Sequence, residues 1–244
     1  RGTQGSVDAI HGNFNQATVG SKAGATLIVS GGTGTIGGII NGVTVTGSGA
    51  GSDTQDAAVI AAAINASSNA LVVGFVRACS SYATLTLSTM LVDGKVRIRI
   101  GSGAVASEYT FTATAAATGK LGEFSISGND TADALALCTA INEYPVLNQA
   151  VRAESVAGVA YVYAMDDVTT NKEVSVSGSG ITRTAGFAAG TRVHIECPIP
   201  GAIGNAISIA LSGTGITVAN TNTRFVGGTG GLTGTTKRAN ALGV

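Results

Sequence analysis

Apolar residues recur along this chain with two different periods, and the changes from one to the other mark its elements. A period close to 3.6 appears twice. Ala57, Ile60, Ala61 and Ile64 stand at i, i+3, i+4 and i+7, as do Ala134, Leu137, Cys138 and Ile141, so each set predicts a short amphipathic helix with one stripe to bury. Asp53 and Asp130 are placed to cap these helices, and Asp56 and Asp133 fall in the first turn, where the helix dipole favours negative charge. Around the helices the period drops to two. Val-, Ile- and Thr-rich runs predict strands at 25–30, 42–47, 70–78, 83–92 and 95–100, then at 109–113, 123–127, 150–155, 159–164 and 173–177, and finally at 191–197, 206–211 and 215–219. Asp93-Gly94 reads as a two-residue hairpin turn between two of them.

The two helical stretches are copies of one segment. DTQDAAVIAAAIN at 53–65 and DTADALALCTAIN at 130–142 are identical at seven of thirteen positions and start 77 residues apart, with a Gly-Ser-Gly following each at that same offset. Val76-Arg77-Ala78 and Val151-Arg152-Ala153 mark an equivalent strand after each helix, with Val and Ala facing in and Arg facing out. Duplication of this kind builds surface and contacts and does not point to a single catalytic cleft. The predicted fold is α+β and β-rich: two tandem strand-helix-strand modules, antiparallel sheets with one short amphipathic helix each, plus a β-rich C-terminal region and extended arms. The expected boundaries are 1–24 for an N-terminal arm, 25–103 and 104–180 for the modules, 181–226 for the C-terminal region and 227–244 for a second arm. Both ends are polar and glycine-rich, so neither can form its own core.

Composition narrows the classes of function. Charged residues make up 11% of the chain with no net charge, so no basic patch is available to neutralise phosphates and direct nucleic-acid binding is not expected. Lys95, Arg97 and Arg99 share a strand face, which reads as a solvated or subunit-facing stripe. No run of about 18 apolar residues predicts a membrane span. Glycine at 36 of 244 residues and so few charges suit a surface that lies against copies of itself. The three cysteines cannot all pair within one chain. Cys138 and Cys197 fall on inward positions, whereas Cys79, next after Arg77 on its face, is expected outside and is the candidate for an interchain disulfide.

Three motifs bear on chemistry. Gly32-Thr-Gly34-Thr-Ile-Gly37 matches a dinucleotide-binding loop, but an Asn-Gly turn and another strand follow where a helix N-terminus would be needed, so a glycine hairpin loop is the reading preferred. His194-Ile-Glu196 matches the His-x-Glu of zinc deaminases without the Pro-Cys-x-x-Cys those sites require; alternation instead groups Arg192, His194 and Glu196 on one polar strand face, where they pair charges. His11, the other histidine, lies in the N-terminal arm. Asp166-Asp167 reads as the tip of a turn, with calcium as the lesser alternative. No catalytic, cofactor-binding or metal residue is assigned.

Asn41-Gly42-Val43-Thr44-Val45, Asp53-Thr54 and Ala61-Ala-Ala-Ile-Asn65 resemble a module found in structural proteins of tailed bacteriophages, notably Mu-like contractile tail sheath proteins and related virion proteins. The segment from Pro200 to Leu211, with Gly204-Asn205, is similar to the sequence that often closes such modules. The resemblance implies a non-enzymatic structural subunit of a bacteriophage virion, located in the particle, whose partners are copies of itself and other virion proteins. The chain is little besides these modules, which fits a head decoration, neck or collar subunit or another tail component better than the sheath itself. A secreted bacterial surface adhesin or filament subunit is the alternative.

Overall fold

The computed structural model describes residues 21–116 and 120–229. Eleven strands and two α-helices run in the order β1 (Gly24–Ile40), β2 (Val43–Ser48), α1 (Asp53–Asn65), β3 (Arg77–Leu87), β4 (Lys95–Ile100), β5 (Ser107–Thr114), β6 (Glu123–Ser125), α2 (Asp130–Glu143), β7 (Val151–Val156), β8 (Val159–Ala164), β9 (Lys172–Ser177), β10 (Ile181–Glu196) and β11 (Ile209–Asn220). They form a seven-stranded sheet in the order β11-β1-β10-β3-β8-β7, with β2 paired to the far half of β1, and a four-stranded sheet in the order β6-β5-β4-β9. All pairings are antiparallel except β5 with β6. The protein is therefore α+β and β-rich, with two sheets and two α-helices among the described residues.

Both helices form where the 3.6-residue period placed them, and both bury the predicted stripe: Ala57, Ile60, Ala61 and Ile64 in α1, and Ala134, Leu137, Cys138 and Ile141 in α2. The caps are one residue earlier than expected. Ser52 and Asn129 are the capping residues, with Ser52 accepting from Gln55 N and Asn129 from Thr131 N and Ala132 N. Asp53 and Asp130 instead reach outward, Asp53 accepting from Gly31 N at the irregularity in β1 at 3.0 Å and Asp130 from Thr89 N after β3 at 2.7 Å.

The repeated polar residues have the same task in both copies. Asp56 accepts from Ala50 N at 2.5 Å and Asp133 from Ser127 N at 2.7 Å, so each fully buried carboxylate ties its helix to the loop before it. Asn65 closes a two-bond clamp on the backbone of Ala78, donating to its carbonyl and accepting from its N–H, and Asn142 closes the same clamp on Ala153. An amide side chain is the smallest group that offers a donor and an acceptor in the geometry of a strand edge.

Each helix covers its own core. The first contains Leu27, Val29, Ile60, Ile64, Ala78, Val193, Ile195 and Leu211, drawn from residues 23–78 and 193–225. The second contains Leu85, Val96, Ile98, Phe111, Leu137, Ile141 and Val162, all from the continuous stretch 83–181. Strands β3 and β10 run from one core into the other. On β3 the alternation changes phase between them, at Ser80 and Ser81, whose two N–H groups both donate to Asp167 Oδ1, at 3.0 and 2.8 Å. That carboxylate occupies the place of a missing strand neighbour and fixes an extra residue in the ladder.

Several expected strands take other forms. The stretch 70–76 is a series of turns, with Leu71 N bonded to Asn69 Oδ1 and Gly74 at φ +79°. Gly32 to Gly37 is not a hairpin loop: it lies within β1, whose register shifts between Gly31 and Thr35. Gly34 is needed there because a Cβ would run into the carbonyl oxygen of Thr214 on β11. Asp93-Gly94 does not join a hairpin, since β3 and β4 belong to different sheets. The two predicted strands at 206–219 are one strand, β11. Most of the expected arms, with His11, lies outside the described residues.

Candidate functional site

Alternation on β10 puts Arg192, His194 and Glu196 on the face away from Val193 and Ile195, as expected, but that face is buried. Their exposures are 9%, 6% and 0%. The cause is the duplicated Val-Arg-Ala: Arg77 and Arg152 do face away from their respective cores, and because β3 and β7 lie in one sheet, both turn toward Glu196. Glu196 Oε1 takes Arg77 Nε at 2.7 Å and also Arg77 Nη2, Lys22 Nζ stands 3.5 Å from the same oxygen, and Arg152 Nε lies 3.8 Å from Oε2. Beside this group Glu154 Oε2 accepts from Thr26 Oγ1 at 2.8 Å, Tyr163 Oη at 3.0 Å and Arg192 Nη2 at 3.1 Å. The guanidinium of Arg192 also packs on Tyr161, 4.3 Å from the ring centroid.

His194 links the two carboxylates. Its ring stacks on Tyr163 with centroids 4.9 Å apart, its Nδ1 is 3.3 Å from Thr26 Oγ1, and its Nε2 is 3.9 Å from Glu196 Oε2. The Thr26 hydroxyl hydrogen is committed to Glu154, so Nδ1 is the donor to Thr26 Oγ1 and carries the imidazole proton. Nε2 and Glu196 Oε2 are then two buried acceptors without hydrogen-bond partners. Burial, followed by the charges of Arg152, Arg77, Arg192 and Lys22, lowers the His194 pKa to about 3, so the ring is neutral at physiological pH. Burial also lowers the pKa of Lys22 and Arg152, with Glu196 opposing it in both cases.

Four cations, Lys22, Arg77, Arg152 and Arg192, thus surround two carboxylates, Glu154 and Glu196, leaving two positive charges over. A cleft of about 150 Å³ opens onto this network between Gly24–Thr26, Arg152–Glu154, His194 and the exposed pair Thr221-Asn222. The sequence pointed to the three β10 residues. It gave no sign of Lys22, Thr26, Glu154 or Tyr163, whose strands are distant in the chain.

The other candidates take different places. Cys79 is fully buried, with Sγ 3.5 Å from Met165 Sδ, and burial raises its pKa well above that of a free thiol. The outward position expected for it is therefore corrected: the strand face it shares with Arg77 is covered, and the sulfur packs among Tyr163 and Met165. Cys138 and Cys197 are also buried. Asp166 pairs with Lys172 at 2.6 Å, and Asp167 holds the irregularity in β3, so both carboxylates have protein partners. Among the described residues no group of three or more His, Cys, Asp or Glu could hold a metal ion. Arg97 and Arg99 are exposed and lie near Glu108 and Glu173 on the strands to either side. No helix among the described residues is long and apolar enough to cross a membrane.

Fold and site together define a β-rich α+β chain built on a buried, cation-rich polar network. No family model, curated protein or solved structure matches it.

Proposed function

We propose that this chain is a non-enzymatic structural subunit of a bacteriophage virion, built of two copies of one strand-helix-strand module, which assembles in symmetric copies by packing of its modules and exchange of its terminal arms. The observation that carries the reading is the pairing of two residues distant in the chain. Ser21 and Thr229 form a bridge, their hydroxyls 2.7 Å apart, so these two positions lie side by side. Gly201 N donates to Ser21 O at 3.0 Å, which sets that pair beside the 199–207 loop. Ile199 and Ile203 on this loop, with Leu71, Val73 and Phe75 from the turns after α1, are exposed apolar residues near a shallow cavity of about 230 Å³ lined by Leu71, Phe75, Ile203 and Ile207. An exposed apolar patch beside the Ser21–Thr229 pair is a surface that a second copy of the chain could cover, which supports this reading. The matched Asp and Asn clamps of the two helices support the duplicated module.

The test is a chain lacking 1–20 and 230–244, compared with the full chain by analytical ultracentrifugation and negative-stain electron microscopy. The truncated chain is expected to fold and to remain unassembled at concentrations where the full chain forms particles or rings. A truncated chain that assembles like the full one would overturn arm exchange.

A further inference from the structure

We infer that the cleft over the buried polar network is a binding site for a single carboxylate group, held on Arg152 at the mouth formed by Thr221 and Asn222. The inference rests on charge, donors and space. Around Glu196 the three cations Lys22, Arg77 and Arg152 leave a local surplus of two positive charges on side chains that are largely out of water. An anion is the ordinary remedy for such a surplus, because Coulomb forces strengthen as water is excluded. Lys22 and Arg77 are turned inward, toward Asn148 O, Gln149 and Glu196. Arg152 lines the cleft, and its guanidinium gives one hydrogen bond to protein, from Nη2 to Lys22 O at 3.1 Å, with Nε set loosely against Glu196. A planar fork with donors to spare matches a carboxylate.

Size and surroundings favour this over a tetrahedral dianion. The cleft holds about 150 Å³, and one wall is the carboxylate of Glu154, only partly offset by its pair with Arg192, so a dianion would be repelled more than a single negative charge. Thr221 and Asn222 supply neutral hydrogen-bonding groups at the exposed rim. His194 borders the same space and registers its potential: the cations that push its pKa down would be offset by an anion in the cleft, so binding draws the ring's titration upward. The carboxylate can belong to a small free acid or to an Asp or Glu side chain of a docked chain; the chemistry is the same.

The experiment follows the His194 ring C–H resonance by NMR in the full chain. The sequence holds two histidines, so a His11→Asn variant assigns the signals. Acetate, doubly blocked aspartate, chloride and inorganic phosphate are titrated at constant ionic strength. At pH 7, where acetate is ionised, it is expected to shift the resonance saturably on the order of millimolar, a single contact point giving weak affinity. Arg152→Gln abolishes the shift. Asn222→Asp, an exposed change that leaves the buried network in place, weakens acetate several-fold and decides the matter should Arg152→Gln not fold. Blocked aspartate binding more tightly than acetate assigns the site to a partner's side chain; the reverse assigns it to a free acid. The inference is overturned if chloride and phosphate act as acetate does, if no saturable shift is seen, or if neither variant alters the response.

Discussion

Protonation of His194 should make this protein acid-sensitive in a way that one substitution removes. Folded, the ring is held neutral down to about pH 3; unfolded, it titrates near 6.5. The unfolded chain therefore binds the extra proton first. The stability contribution is fully present above about pH 6.5 and falls away as pH drops toward the folded value, at about 1.4 kcal/mol per pH unit. At pH 5 the loss is about 2 kcal/mol, and over the whole interval it approaches about 5 kcal/mol. Burial is the main cause, and the cations Arg152 on β7, Arg77 on β3, Arg192 on β10 and Lys22 ahead of β1 add to it; Glu154 on β7, Tyr163 on β8 and Glu196 on β10 also face the ring. The assay is urea unfolding at pH 7 and pH 5, in buffers free of carboxylic acids, for the natural chain and His194→Gln. The variant starts from a lower stability at pH 7, having lost the stack on Tyr163. Its further loss on going to pH 5 should be smaller than the natural chain's by about 2 kcal/mol. Carboxylates elsewhere titrate equally in both and cancel. Equal losses would refute the reasoning, because they would mean that folding does not exclude the proton.

The clamps at the ends of the helices offer a matched pair of perturbations. Asn65→Ala and Asn142→Ala each leave the N–H and carbonyl of one buried alanine without partners, so each should cost about 2–3 kcal/mol in equilibrium unfolding; a large difference between the two would show that the repeat is not used alike in both copies. Cys79 should resist a thiol reagent such as DTNB in the folded protein and react fully once urea unfolds it. Rapid labelling of Cys79 in the native state would return it to the surface.

What could be read from the sequence was whatever depends on near neighbours. The helices were legible because their apolar stripe, acidic first turn and terminal Asn lie within thirteen residues, and Asp53 or Asp130 was mistaken for the cap only because each sits next to the residue that fills that role. Leu71, Val72 and Val73 suggested a strand, yet Asn69 and the left-handed Gly74 turn the chain there. Cys79 was misplaced because alternation cannot see that its face is covered. The polar network shows the same limit more fully. The β10 triplet was visible, as was the outward Arg of each Val-Arg-Ala, but that both "outward" directions meet at Glu196 depends on β3, β7 and β10 belonging to one sheet. Their contacts join residues far apart in the chain, as with Arg77 and Glu196, which are 119 apart.

The placement of the two cores along the chain has a consequence for how the molecule comes into being. The second core is complete once residue 181 has been made, whereas the first waits for Val193, Ile195 and the strand beyond them. On a ribosome adding about 5–20 residues per second, the middle of the chain can close while α1 and β1 are still without β10 and β11. Folding during synthesis is then expected to begin with the 83–181 core, and the first core to close only after β10 and β11 have been added to β1. A nascent chain interrupted between residues 181 and 193 would carry the residues of the second core and leave the apolar residues of the first without Val193 and Ile195.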